Sequence, residues 1–229
     1  RWDLPAPTLN SEFRVADHAN RNSGLYTGSL DVSGNDPGVA TRYAELMAAM
    51  EGKSPNQASQ YIDVPSPHPL HTLLRLQYVR LTVGPNPKGW LRVQDTPMPR
   101  FSLVDSYSLH QGRDAVLARM FEPSFDPRRE VVLEEEPSPK PQLGAQGQVQ
   151  LQACDTDSCT VQVQLDRPAL LLITDAWTPS WHAKPASNAV VTQEQYRLLP
   201  GDYAFRVVAL SAGPHAVTMY YERNALRAG

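Results

Sequence analysis

Two kinds of hydrophobic spacing run along this chain, and the balance between them changes near residue 137. Before that point helical and strand spacings are mixed. Glu12-Phe13-Arg14-Val15-Ala16 alternates with the period of a short strand. Val39, Tyr43, Leu46, Met47 and Met50 fall on one stripe of a helix. Asp36-Pro37 offers that helix a capping carboxylate and a proline suited to its first turn, and Gly52 ends it. His71 to Leu76 reads as a short helix leading into a strand over 78–83. Phe101 to Val104 reads as a strand, and Gly112 to Phe121 as a helix whose apolar side is Ala115, Val116, Leu117 and Ala118.

Beyond residue 137 every periodic segment reads as strand. Val149, Leu151 and Ala153 alternate with glutamines, as do Val161, Val163 and Leu165. The unbroken apolar run Ala169-Leu170-Leu171-Leu172-Ile173 suits a central strand buried on both faces. Further strands are expected over 190–199, 203–210 and 215–221, with Pro200-Gly201 at the centre of a type II turn and Gly213 in the next turn. Glu134-Glu135-Glu136-Pro137-Ser138-Pro139-Lys140-Pro141 is charged and proline-rich, as a linker is. The expected fold class is α+β: a mixed α/β domain over 1–136, then an antiparallel β-sandwich over 137–229.

Composition narrows the function classes. With 41% hydrophobic and 20% charged residues among 229, the chain has the makings of a packed core. A formal net charge of −3 argues against an electrostatic grip on nucleic acid. The longest apolar run has five residues, far short of the roughly 20 that a membrane span needs. The chain opens on Arg1 with no signal-like segment behind it, as a soluble piece of a larger membrane protein would.

The two cysteines, Cys154 and Cys159, flank the turn residues Asp155-Thr156-Asp157-Ser158. That spacing fits neither a zinc site nor a two-residue redox pair, and it favours a disulfide across a hairpin, hence an oxidising compartment. One conflict arises. Apolar residues occupy odd positions in both flanking strands, and pairing them sets the cysteines out of register unless a bulge intervenes.

The segment Ile173-Thr174-Asp175-Ala176-Trp177-Thr178-Pro179-Ser180-Trp181-His182-Ala183 is the most distinctive in the chain. It is followed by Gly201-Asp202-Tyr203-Ala204-Phe205-Arg206 and by Ala212-Gly213-Pro214-His215-Ala216-Val217. Upstream lie Ser33-Gly34-Asn35-Asp36-Pro37, Arg42-Tyr43-Ala44-Glu45-Leu46, Leu74-Arg75-Leu76-Gln77-Tyr78-Val79, Met98-Pro99-Arg100 and Phe125-Asp126-Pro127. In this order the segments resemble the C-terminal part of the YfhO-like family of bacterial membrane proteins. Ser180 departs from that pattern where the family has glycine, Asn35 where it has tyrosine, and Pro185-Ala186-Ser187-Asn188 where it has an Asp-Gly turn.

The resemblance implies a membrane-embedded glycosyltransferase that uses a polyprenyl-phosphate sugar. Its catalytic acid would lie in an early loop between membrane helices. This chain would be the extracytoplasmic domain, on the periplasm or cell-wall side and tethered to the cytoplasmic membrane. Its partners would be the membrane-embedded part of the same protein and a glycan or lipid-linked sugar, with no catalytic residue and no cofactor of its own. A stand-alone secreted carbohydrate-binding module and a purely structural domain are the rival readings.

Asp175, Trp177, Trp181, Arg206 and His215 are the candidate binding residues. Tryptophan faces suit the apolar faces of a sugar, and aspartate and arginine suit hydroxyl or phosphate groups. The same residues also suit a fold-holding role, with the tryptophans capping a core and Arg206 pairing Asp175. His68 and His71 are three apart, but Pro69 interrupts a regular helix and no third ligand is nominated, so no metal site is expected.

Overall fold

The computed structural model describes residues 13–17, 22, 30–35, 37–80, 91–94, 96–187 and 192–222. The chain divides into two compact units, Arg1–Arg100 and Phe101–Gly229. The division falls at 100/101, not at the composition change near 137. The reason is pairing: strands contributed by residues 101–133 hydrogen-bond into the same sheet as the strands after residue 169. The stretch read as a linker lies inside the second unit. Tyr107 donates a hydrogen bond to Glu136 (2.7 Å), and Glu135 pairs with Arg197 (2.8 Å).

In the first unit, β1 (Arg14–Asp17) pairs in parallel with β4 (Leu76–Arg80), which pairs antiparallel with β5 (Leu91–Arg92). Two-residue strands β2 (Gly34–Asn35) and β3 (Tyr61–Ile62) form a separate antiparallel pair. Helix α1 (Thr41–Met50) buries Tyr43, Leu46, Met47 and Met50, the expected stripe, together with Ala44 and Ala48. Its N-cap is Ala40; the capping role read for Asp36 lies outside the described residues, as do 81–83 of the expected strand. Gly52, at φ +75°, ends the helix in the left-handed region. The helix expected over 71–76 is instead a 3₁₀ turn, Pro69–Thr72, running into β4.

The second unit is mostly β. Its six-stranded sheet is β6 (Phe101–Val104), β11 (Ala169–Ala176), β14 (Phe205–Leu210), β13 (Leu198–Gly201), β8 (Val131–Leu133) and β7 (Tyr107–Leu109), in that order. All its pairs are antiparallel except β7 with β8. The four-stranded sheet runs β12 (Trp181–Pro185), β15 (Gly213–Tyr221), β10 (Ser158–Leu165) and β9 (Gly147–Cys154), antiparallel throughout. One buried cluster draws Val161, Val163, Val217 and Met219 from the smaller sheet and Leu171, Ile173, Val208 and Leu210 from the larger. β11 is buried on both faces, as its apolar run requires.

Helix α2 (Arg113–Met120) buries Val116, Leu117 and Met120, while Ala115 and Ala118 face outward. The turn expected at Pro200-Gly201 falls two residues later. Asp202 (φ +44°) and Tyr203 (φ +66°) make the reversal, and Gly201 belongs to β13. Gly201 is demanded by packing: a Cβ there would meet Val207 Cγ2 at 2.2 Å. Among the described residues no helix is long and apolar enough to cross a membrane.

Cys154 and Cys159 form a disulfide. They are opposite one another in the β9–β10 ladder, Ala153 faces Thr160, and the register then shifts so that Leu151 faces Val161 and Val149 faces Val163. The bulge reconciles the bridged cysteines with the apolar alternation, as the sequence conflict required.

Candidate functional site

The sequence-nominated residues separate into two constellations. The first gathers where β11 ends. The Trp177 N–H donates to the Ala204 carbonyl (2.8 Å), and the Trp181 N–H donates to the Thr178 carbonyl (3.1 Å), turning the chain into β12. Arg206 points from β14 toward the same side as Val208 and Leu210, and its Nε donates to the Ala176 carbonyl (2.8 Å). Its guanidinium carbon sits 3.5 Å from the centroid of the Trp181 ring, a close cation–π stack. Tyr221, opposite Trp181 across the β12–β15 ladder, meets that ring edge-on with centroids 5.6 Å apart.

Arg206 is only 6% exposed and Asp175 only 8%. Trp181 is half-buried and packs on the core cluster. A ring already stacked by a buried guanidinium has that face occupied, so this constellation fastens β11, β12 and β14 together. Its chemistry is that of a clasp.

His215 stands apart, six residues along β15 from Tyr221, or about 20 Å of strand. It is 2% exposed. The Tyr196 hydroxyl lies 2.9 Å from Nδ1, and Nε2 lies 2.8 Å from the Ser211 carbonyl and 3.4 Å from Thr192 Oγ1. A carbonyl can only accept, so Nε2 carries the proton and Nδ1 accepts from the tyrosine. Burial holds the imidazole below its ordinary value, favouring this neutral form, and raises the Tyr196 phenol to about 12, which keeps it a donor.

Above this histidine the chain forms an open groove of about 520 Å³ between residues 136–139 and 192–199. Tyr196, Thr192 and Ser211, the three partners of His215, all line it. Gln193 secures one wall: its Nε2 donates to the Gln195 carbonyl (2.8 Å) and the Ala209 carbonyl (3.1 Å), and its Oε1 accepts from the Ser211 N–H (3.1 Å). Sequence reasoning named His215 but missed Gln193, Tyr196 and the groove. No local pattern joins residues 136–139 to 192–199; β-pairing between distant segments does.

Two further sites hold ionisable groups. Asp202 is fully buried; its N–H donates to the Val132 carbonyl (2.9 Å) and its Oδ1 accepts from the Val132 N–H (2.8 Å). Burial, with a smaller push from Glu130, raises its carboxyl to about 8. Oδ2 is buried without a hydrogen-bond partner among the described residues. His68 and His71 cap their own 3₁₀ turn: the His68 N–H donates to His71 Nδ1, and the Leu70 N–H donates to His68 Nδ1, both at 3.1 Å. Both Nδ1 atoms are thereby engaged, and among the described residues no three metal-ligating side chains come together.

Comparison with known proteins found no matching family model, no matching curated protein and no matching solved structure.

Proposed function

We propose that this chain is an extracytoplasmic, non-catalytic domain of a membrane-tethered glycosyltransferase of the YfhO-like kind, helping to receive or orient a glycan acceptor. The observation that carries the reading is the Cys154–Cys159 disulfide, which closes the β9–β10 hairpin in register. Cytosolic thiol pools keep such pairs reduced, whereas the periplasm and cell surface let them persist. The ordered motifs support the parentage, and the resemblance they carry implies transfer chemistry in an early loop between membrane helices. The reading includes a β-sandwich for the second unit, supported by the buried cluster shared between its two antiparallel sheets.

The test is thiol trapping of the full-length gene product in its own cells. Acid quenching followed by a mass-tagging maleimide should leave Cys154 and Cys159 unlabelled until a reductant is added. Quantitative labelling without reductant would overturn the extracytoplasmic assignment.

A further inference from the structure

We infer that the groove beside Tyr196 is a binding site for an uncharged saccharide, held in shape from beneath by His215; this rests on the reading that the domain engages a glycan. Its volume of about 520 Å³ falls within the range of small-molecule sites. The charges at its rim are matched locally: Glu136 pairs with Lys140 (3.1 Å) and Arg197 with Glu135 (2.8 Å). An ionic ligand would meet no uncompensated partner there.

What the groove offers instead is hydroxyl and amide groups. Ser138 and Gln195 are exposed at its edge, and their side chains have no hydrogen-bond partner among the described residues. Hydroxyls and amides both donate and accept, which matches the dual character of sugar hydroxyls. Pro139 supplies partly exposed apolar surface for the C–H face of a ring, and the buried Leu199 and Ala209 close the floor beneath it. A site with a few placed polar groups over apolar lining is the usual form of a small-ligand pocket.

His215 acts as a positioning residue. It touches the Thr192 and Tyr196 side chains and the Ser211 backbone carbonyl at once, so one buried ring ties together three lining residues. The Tyr196 hydroxyl points into this network, which makes Tyr196→Phe a change to the support that leaves the ring itself in place.

The experiment is an NMR titration of the ¹⁵N-labelled chain with methyl glycosides of glucose, galactose, mannose, rhamnose and N-acetylglucosamine. Each is taken to about 50 mM, above the millimolar Kd expected for a small polar ligand. At least one should give saturable amide shifts at residues 193–197 and 211. Gln195→Ala should weaken that Kd about tenfold with an unchanged Tm. Tyr196→Phe should weaken it as well, and its shifts should spread to Ser211 and Thr192.

Three results would overturn the inference: no glycoside saturates, saturable shifts map to Trp177 and Trp181 instead, or inorganic phosphate occupies the groove more tightly than every glycoside. Each would leave the compartment assignment standing, because thiol trapping reads that separately.

Discussion

Asp202→Asn should make this protein more stable, and increasingly so as pH rises. The native carboxyl is fully buried in the β13–β14 turn and titrates at about 8 against 3.8 for an ordinary aspartate. Between those values the unfolded chain is ionised and the folded chain is protonated, so folding takes up a proton. Stability therefore falls as pH rises from about 4 to about 8, and levels off above that. The interval from 3.8 to pH 7 sets a ceiling of about 4 kcal/mol on the cost at pH 7.

Asparagine keeps the acceptor for the Val132 N–H, carries no charge, and tolerates the left-handed backbone at φ +44°. Urea unfolding at pH 5 and pH 8 measures the effect, with equal m-values as the check on two-state behaviour. The gain from Asn should be at least about 1 kcal/mol larger at pH 8 than at pH 5. An equal change at both pH values, or a variant less stable at pH 8, would refute the assignment of a buried, protonated Asp202.

Trp181→Ala should cost about 3–5 kcal/mol in chemical denaturation, because it removes core packing and uncovers the Arg206 guanidinium; a loss below about 1 kcal/mol would contradict the clasp. Gly201→Ala should lower stability by about 1–3 kcal/mol, since its Cβ would meet Val207 Cγ2 at 2.2 Å, and an unchanged Tm would show that β13 can yield. His71, lowered to about 4 by burial, stays neutral while the unfolded chain protonates. Stability it supports is lost as pH falls from about 6.5 to 4, and a Tm–pH profile of His71→Asn should lack that acid limb.

The local patterns carried much of the fold. α1, the strand at 101–104 and the bridged β9–β10 hairpin follow from spacing over a few residues. What spacing could not carry is pairing at long range. β6 joins β11 and β8 joins β13 across tens of residues, so the composition change near 137 misplaced the division between units. β12 was hidden because its alternation, Trp181 and Ala183 against His182 and Lys184, spans only four residues before Pro185, and it forms by pairing along β15.

Glycine was ambiguous for a physical reason as well. Gly201 serves a close approach, while the positive φ values fall on Asp202 and Tyr203. At the site, the motif nominated residues that meet, Trp181 with Arg206, but the burial of Arg206 and its stacking on the half-buried ring make them a clasp. His215 was nominated without its partners, because Thr192 and Tyr196 come from a segment about twenty residues away and its role is visible only once Tyr196 and Ser211 surround it.

The most direct test of the extracytoplasmic account is protease shaving of intact spheroplasts that carry the full-length protein. Protease added outside should degrade the region spanning Cys154 and Cys159 while cytoplasmic markers survive. Full protection of that region until the membrane is permeabilised would contradict the account.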